Sequence, residues 1–279
     1  MSAHNLKIKR FSLHQFEDRA TIKFDPNAYS RLKYGSGEAG KQFGEELALA
    51  FYEKYYDVIA TKQLVVSESA YQYMRNAASM ITDAFCNKLN SLICELNGNF
   101  IQRIKINRLV PYIQDYGKVS LKQRVKLLKK DTFTFDYDYA KDKFLIFIDD
   151  IFITGTHQKK IEEMVENYGI DTNECMCVYY AELLNPYEDP SIESYLNNYQ
   201  IKTLTDLYRL ITEDKDYRII VRTAKMFLSY EDTKDVVALL ETVDKDILTE
   251  LYYNCLSEGY YKNPAYSKNF SKLRDKVLK

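Results

Sequence analysis

The chain has 279 residues, 46% of them hydrophobic and 28% charged, with a formal net charge of −1. That apolar share supports a packed core in one large or two small domains. So slight a charge excludes a global field that would draw the protein to nucleic acid or to an anionic membrane. No run approaches the roughly 20 apolar residues of a membrane span, and Met1 to Lys7 contain no apolar signal core, so a cytoplasmic protein is expected. Five cysteines, Cys86, Cys94, Cys175, Cys177 and Cys255, fit no zinc spacing and are read as reduced, buried thiols.

Two textures divide the chain. Residues 20–188 alternate helical and strand signals, while residues 189–279 read as helix nearly throughout. The segment Asn185 to Pro190, with its prolines and short acids, punctuates them. After Gly35-Ser-Gly37, the residues Phe43, Leu47, Ala50 and Phe51 recur at a helical period between Glu38 and Tyr56. Gln63 to Val66 is a short apolar strand. Ala70 to Leu96 reads as one helix with Met74, Ala77, Ala78, Ile81, Phe85, Leu89 and Leu92 on a stripe. Phe100 to Ile106 partly alternates and predicts a strand, Ser120 to Lys130 a short basic helix, and Thr132 to Tyr139 an exposed edge strand.

Phe144-Leu-Ile-Phe-Ile148 is an unbroken apolar run between charges, the pattern of a central parallel strand buried on both faces. A helix from about Gln158 to Tyr168, stopped by Gly169, leads to a second buried strand, Cys175 to Tyr180. Strand, helix and strand in this order predict a right-handed parallel crossover. Beyond residue 189, stripes such as Leu204, Leu207, Tyr208 and Ile211, or Ile219, Ile220, Ala224, Phe227 and Leu228, predict a helical extension that serves as a cap or as an interaction region.

The chemistry is concentrated between the central strand and its helix, in Asp149-Asp-Ile-Phe-Ile-Thr-Gly-Thr-His157. In an open α/β sheet, ligands lie beyond the carboxyl ends of the strands, which is where this loop falls. Thr154, Gly155 and Thr156 make a turn whose amides can share one concavity, and the helix that follows adds its unpaired N–H groups. The two carboxylates repel phosphate but suit hydroxyls and metal-bound water. A sugar carrying a terminal phosphate and a diol satisfies both halves.

Phe144 to His157 resembles the signature of type I phosphoribosyltransferases: an apolar strand, two acids, an apolar pair and a Thr/Gly/Thr loop. Arg31-Leu-Lys-Tyr-Gly and Val65-Val-Ser, followed by Arg75-Asn76, resemble the competence-related (ComF-like) branch. The resemblance implies an α/β fold with a parallel sheet flanked by helices. It also implies binding of 5-phosphoribosyl-1-pyrophosphate (PRPP) with Mg2+ and transfer of phosphoribose to a nitrogenous acceptor, with release of pyrophosphate. Asp149 and Asp150 would hold the ribose hydroxyls and the metal, and Ile153, Thr154, Gly155, Thr156 and His157 would surround the 5′-phosphate. Ser67, Glu68, Ser69 and Arg75 would take the pyrophosphate, and a hood loop would fall within residues 108–130, with Lys118, Lys122 and Arg124 facing it.

The pattern is departed from at three places. Ile153 stands where Thr or Asp is usual, His157 replaces the last loop Thr, and Glu68 is an unusual neighbour for pyrophosphate. These departures keep open a second expectation, a PRPP- or nucleotide-sensing protein of the same fold without turnover, in a stress or defence gene cluster by family analogy. The expected partners are PRPP and a small-molecule acceptor, with neither membrane nor specific nucleic acid, and with a homodimer left open.

Overall fold

The structure, a computed structural model, describes residues 8–108, 133–186 and 188–279. Its centre is a sheet of β1 (Lys9–Phe16), β2 (Leu64–Glu68), β3 (Gln102–Arg103), β6 (Phe144–Phe152) and β7 (Cys175–Leu183). The order across the sheet is β1-β7-β6-β2-β3, and every pairing is parallel. The α/β class expected from the sequence is therefore the observed one. A parallel sheet must be covered on both faces, and successive side chains divide between the two covers.

On one face, Leu64, Val66, Ile146, Ile148, Val178 and Tyr180 meet Leu32 of α1 (Pro26–Lys33), Phe43, Leu47 and Phe51 of α2 (Gly37–Lys54), and Ile81, Phe85 and Leu89 of α4 (Ala77–Glu95). A short α3 (Tyr56–Thr61) joins α2 to β2. The ring of Tyr180 stacks on Phe43 at 4.1 Å, and its hydroxyl donates to Glu46. On the other face, Val65, Leu145, Phe147, Cys175, Cys177 and Tyr179 meet Ile161, Met164 and Val165 of α6 (Thr156–Asn167). Cys175 and Cys177 thus share a buried face as the alternation requires, and burial pushes the Cys175 thiol up to about 12. Cys94 departs from the expectation of buried thiols and is exposed.

Several sequence expectations shift in register. The α/β region opens before residue 20: β1 is an edge strand whose polar Arg10, Ser12 and Gln15 hid its alternation, and all three side chains reach Glu182 of β7. The helix expected from Ala70 begins at Ala77, because Asn76 and Ser79 close a capping box. Residues 69–76 are therefore loop, and Met74 turns away from the stripe of α4 into the helical region. Among the described residues the expected edge strand is reduced to β5 (Phe133–Thr134), paired antiparallel with β4 (Asn107–Arg108); Thr132 lies outside them. Asp136 then caps a one-turn helix, α5 (Tyr137–Ala140), by accepting from the Tyr139 amide at 3.1 Å. The basic helix of residues 120–130 and all of the expected hood except Arg108 lie outside the described residues.

The rest of the chain is helical as expected: α7 (Ile192–Asn197), α8 (Leu204–Glu213), α9 (Val221–Ser229), α10 (Thr233–Thr242), α11 (Lys245–Ser257) and α12 (Ser267–Leu278). α7 buries Ile192 and Leu196 in the core of the sheet region. The others enclose a core of their own, built on Leu207, Ala224, Phe227, Val236, Leu251, Cys255 and Leu273, and Tyr34 and Met74 enter it from the sheet side. The seam is closed by backbone. The Arg218 amide donates to Gly35 O at 2.9 Å, the Thr223 hydroxyl to Tyr34 O at 2.8 Å, and the Val221 amide to Arg75 O at 3.0 Å. Gly35 has φ +105°, and a Cβ there would lie 2.0 Å from Arg218 O, so both the turn and the contact demand glycine.

Candidate functional site

A cleft of about 1300 Å³ opens beyond the carboxyl end of β6. One wall is the run Asp149–Gln158 with Ser69–Gln72, and the facing wall is made by the helical extension through Ile220, Arg222, Lys225 and Tyr230. The helices after residue 189 are thus structural parts of the cleft as well as a cover for the sheet.

The strand–turn–helix expected from the sequence is present. β6 ends at Phe152, and Gly155 then adopts φ +72°, reversing the chain into α6. As a glycine, Gly155 offers no side chain to close the first turn of α6, so the positive end of that helix faces the cleft. A Cβ at Gly155 would come within 3.0 Å of the Phe152 ring. Phe152 is itself held under the Arg10 guanidinium, 3.7 Å from the ring centroid. Thr154 and Thr156 are exposed, their hydroxyls 3.0 Å apart. Ile153 lines the cleft but packs its side chain against the core, which explains an apolar residue at that position.

The two acids differ sharply. Asp149 keeps 19% of its side chain exposed; its Oδ2 lies 3.1 Å from His157 Nδ1, and its Oδ1 accepts from the Asp150 amide at 3.0 Å. Asp150 is buried and takes two donors from α1: the Tyr29 hydroxyl at 2.6 Å and the Lys33 ammonium. Burial alone would raise the Asp150 pKa, but Lys33 and these hydrogen bonds outweigh it and hold the carboxyl well below its ordinary value. Tyr29 is pushed far upward by burial and by the Asp150 charge, so it remains a neutral donor.

Of the residues expected at the pyrophosphate, only Ser69 lines the cleft, and its hydroxyl lies 3.0 Å from His157 Nδ1. Ser67 and Glu68 are buried in β2. Glu68 pairs with Arg103 at 2.8 Å and with Arg75 at 3.6 Å, and Arg75 also binds Asp83 at 2.8 Å. In the adjoining loop, the amides of Tyr73 and Met74 donate to buried Glu258 at 3.0 and 2.6 Å.

Sequence reasoning gave no site role to Tyr29, Lys33, Arg222, Lys225 or Glu258. Only Lys33 carried a signal, through its place in Arg31-Leu-Lys-Tyr-Gly; Tyr29 depends on how α1 packs against β6, and Arg222, Lys225 and Glu258 on how the helices after residue 189 return to the cleft. Among the described residues no cluster of three or more His, Cys, Asp or Glu side chains forms a metal cage, and no helix is long and apolar enough to cross a membrane.

A parallel sheet with a glycine-turned strand–loop–helix and an acid pair at its carboxyl edge defines an α/β protein of phosphoribosyltransferase type. The chain belongs to the PRTase ComF-like family, whose model matches residues 8–273. No curated protein matches the sequence. Among solved structures, a hypoxanthine phosphoribosyltransferase from Staphylococcus aureus is similar at 12% identity and a TM-score of 0.31, over 53% of this chain and 76% of that one. A hypoxanthine phosphoribosyltransferase from Trypanosoma cruzi is similar at 13% identity and a TM-score of 0.35, over 56% and 71%. The family assignment rests on the family match.

Proposed function

We propose that the protein binds PRPP in this cleft with Mg2+ and transfers phosphoribose to a nitrogenous, nucleobase-like acceptor, releasing pyrophosphate. The observation that carries the reading is the open, glycine-turned end of α6 beside the carboxylate of Asp149 at the edge of the sheet. The 5′-phosphate sits on the amides and hydroxyls of Thr154 to His157, including the turn set by Ile153, and the ribose diol faces Asp149, with the buried Asp150 behind it. Ser69 and the loop after it, rather than the buried Ser67 and Glu68 or the ion-paired Arg75, lie nearest the pyrophosphate.

With no protein cage among the described residues, a divalent cation would complete its shell from the ligand's oxygens and water, as Mg2+ commonly does. Asp149 would hold it through water or the ribose hydroxyls, with Asp150 adding its charge from behind. When bound, it neutralises charge on the departing pyrophosphate. The protein's part is positioning and electrostatics. The carboxylates favour the cationic character that develops at the anomeric carbon, and the wall carrying Arg222, Lys225 and Tyr230 limits water and meets the acceptor.

A second reading is a protein of the same fold that senses PRPP or a nucleotide without turnover. It is favoured by Ile153 in place of an acid and by the engagement of Glu68 and Arg75 in ion pairs. Calorimetric titration with PRPP and Mg2+, joined to a pyrophosphate-release assay over a panel of acceptors, separates the two. Transfer predicts saturable binding and pyrophosphate release with at least one acceptor, whereas binding without release on any acceptor supports sensing. Asp149→Asn with Asp150→Asn is expected to abolish Mg2+-dependent PRPP binding while leaving the fold intact. Unchanged affinity would remove the carboxylates from the proposed role.

A further inference from the structure

The last turn of α1 brings its own cation to the site. Tyr29 and Lys33 are one turn apart and so share a face of α1, and both meet the same oxygen, Asp150 Oδ2. The Lys33 side chain is only 16% exposed, lines the cleft, and lies 5.6 Å from the centroid of the Tyr29 ring. The other charges acting on this group are Asp149 beside it and, from the helical extension, Arg222 and Glu193 near Tyr29. Two adjacent unpaired carboxylates would repel a dianionic phosphate bound a few residues away. One carboxylate cancelled by a fixed ammonium would not do so to the same degree.

We propose that Lys33 is a positioning residue of this site, the resident counter-cation that takes Asp150 for itself and leaves Asp149 alone to meet the diol and any metal carried by the ligand. The acid pair then acts with a single negative charge, and ribose 5-phosphate, which lacks the metal-binding pyrophosphate of PRPP, binds with little dependence on Mg2+. This rests on the ribose-phosphate reading of the cleft given above.

The test is calorimetry of the full chain with ribose 5-phosphate, in EDTA and in Mg2+, and with Mg2+ alone. It compares the wild type with K33M, K33R and the double variant K33M/D150N. Wild type is expected to bind ribose 5-phosphate almost equally in EDTA and in Mg2+. K33M should lose about tenfold in EDTA, recover most of it in Mg2+, and bind Mg2+ alone about tenfold more tightly, the scale of one added charge at partly screened range. K33R should stay near wild type. The double variant removes one positive and one negative charge, so it should regain the wild-type affinity in EDTA. A K33M loss equal with and without Mg2+, and not restored in the double variant, would show a packing role and overturn the inference. So would K33M affinities unchanged throughout. Wild-type protein that binds neither ribose 5-phosphate nor PRPP overturns the functional reading as well, whereas wild-type binding of ribose 5-phosphate that depends strongly on Mg2+ overturns only the role of Lys33.

Discussion

At the scale of single residues, the site depends on a backbone conformation that ordinary side chains resist. Gly155→Ala places a methyl group in the left-handed region and against the Phe152 ring, which is expected to cost about 1–2 kcal/mol. Urea denaturation should read that loss, and affinity for ribose 5-phosphate should fall with it, because the first turn of α6 moves. Asp83 supplies a pH signature. Burial pushes its pKa up, but hydrogen bonds from Arg75 and Arg103 outweigh that and hold it below its ordinary value. A depressed carboxylate contributes stability that is present above the unfolded pKa, near 4, and lost as pH falls through the folded value. Asp83→Asn should therefore lower the melting temperature at pH 7, and the gap to wild type should close as the pH is taken below about 4.

At the scale of elements, the loop between β2 and α4 is held from outside. Glu258, at the end of α11, accepts from two successive loop amides while buried. Glu258→Ala leaves those donors without their acceptor and is expected to cost about 3 kcal/mol, with faster amide exchange at Tyr73 and Met74; Glu258→Gln keeps an acceptor and should lose less. The same loop marks what could be read in advance. The β6–turn–α6 unit was legible because a doubly buried strand, a glycine turn and an amphipathic helix are local patterns. The start of α4 was not, because Met74 continues the apolar stripe of that helix in sequence yet serves another core in space. The acid pair was legible as a pair but not as two unlike groups, since the difference is made by Tyr29 and Lys33 on a distant helix. β1 was hidden because an edge strand that pairs polar residues with Glu182 does not look apolar.

At the scale of the whole molecule, the helical extension and the sheet region share walls, a backbone seam and two inserted side chains. A chain ended at Glu188 would expose Tyr34 and the wall of the cleft, and strip the Tyr73 and Met74 amides of their acceptor. It is expected to be recovered aggregated or without a cooperative thermal transition, as followed by circular dichroism. A folded, monomeric fragment would show that the extension is dispensable to the sheet.

The placement of β1 also bears on how the chain comes to be folded. Its first residue pairs with Met176 and its last with Leu183, so an early strand of the sheet waits for a late one. Until β7 is made, the flank that β1 will cover cannot exist. Contacts this distant along the chain are slow to form and leave sticky strands uncovered meanwhile. The charged and polar residues that concealed β1 in the sequence, Lys9, Arg10, Ser12 and Gln15, are also what keep a waiting strand from pairing with the wrong neighbour during synthesis.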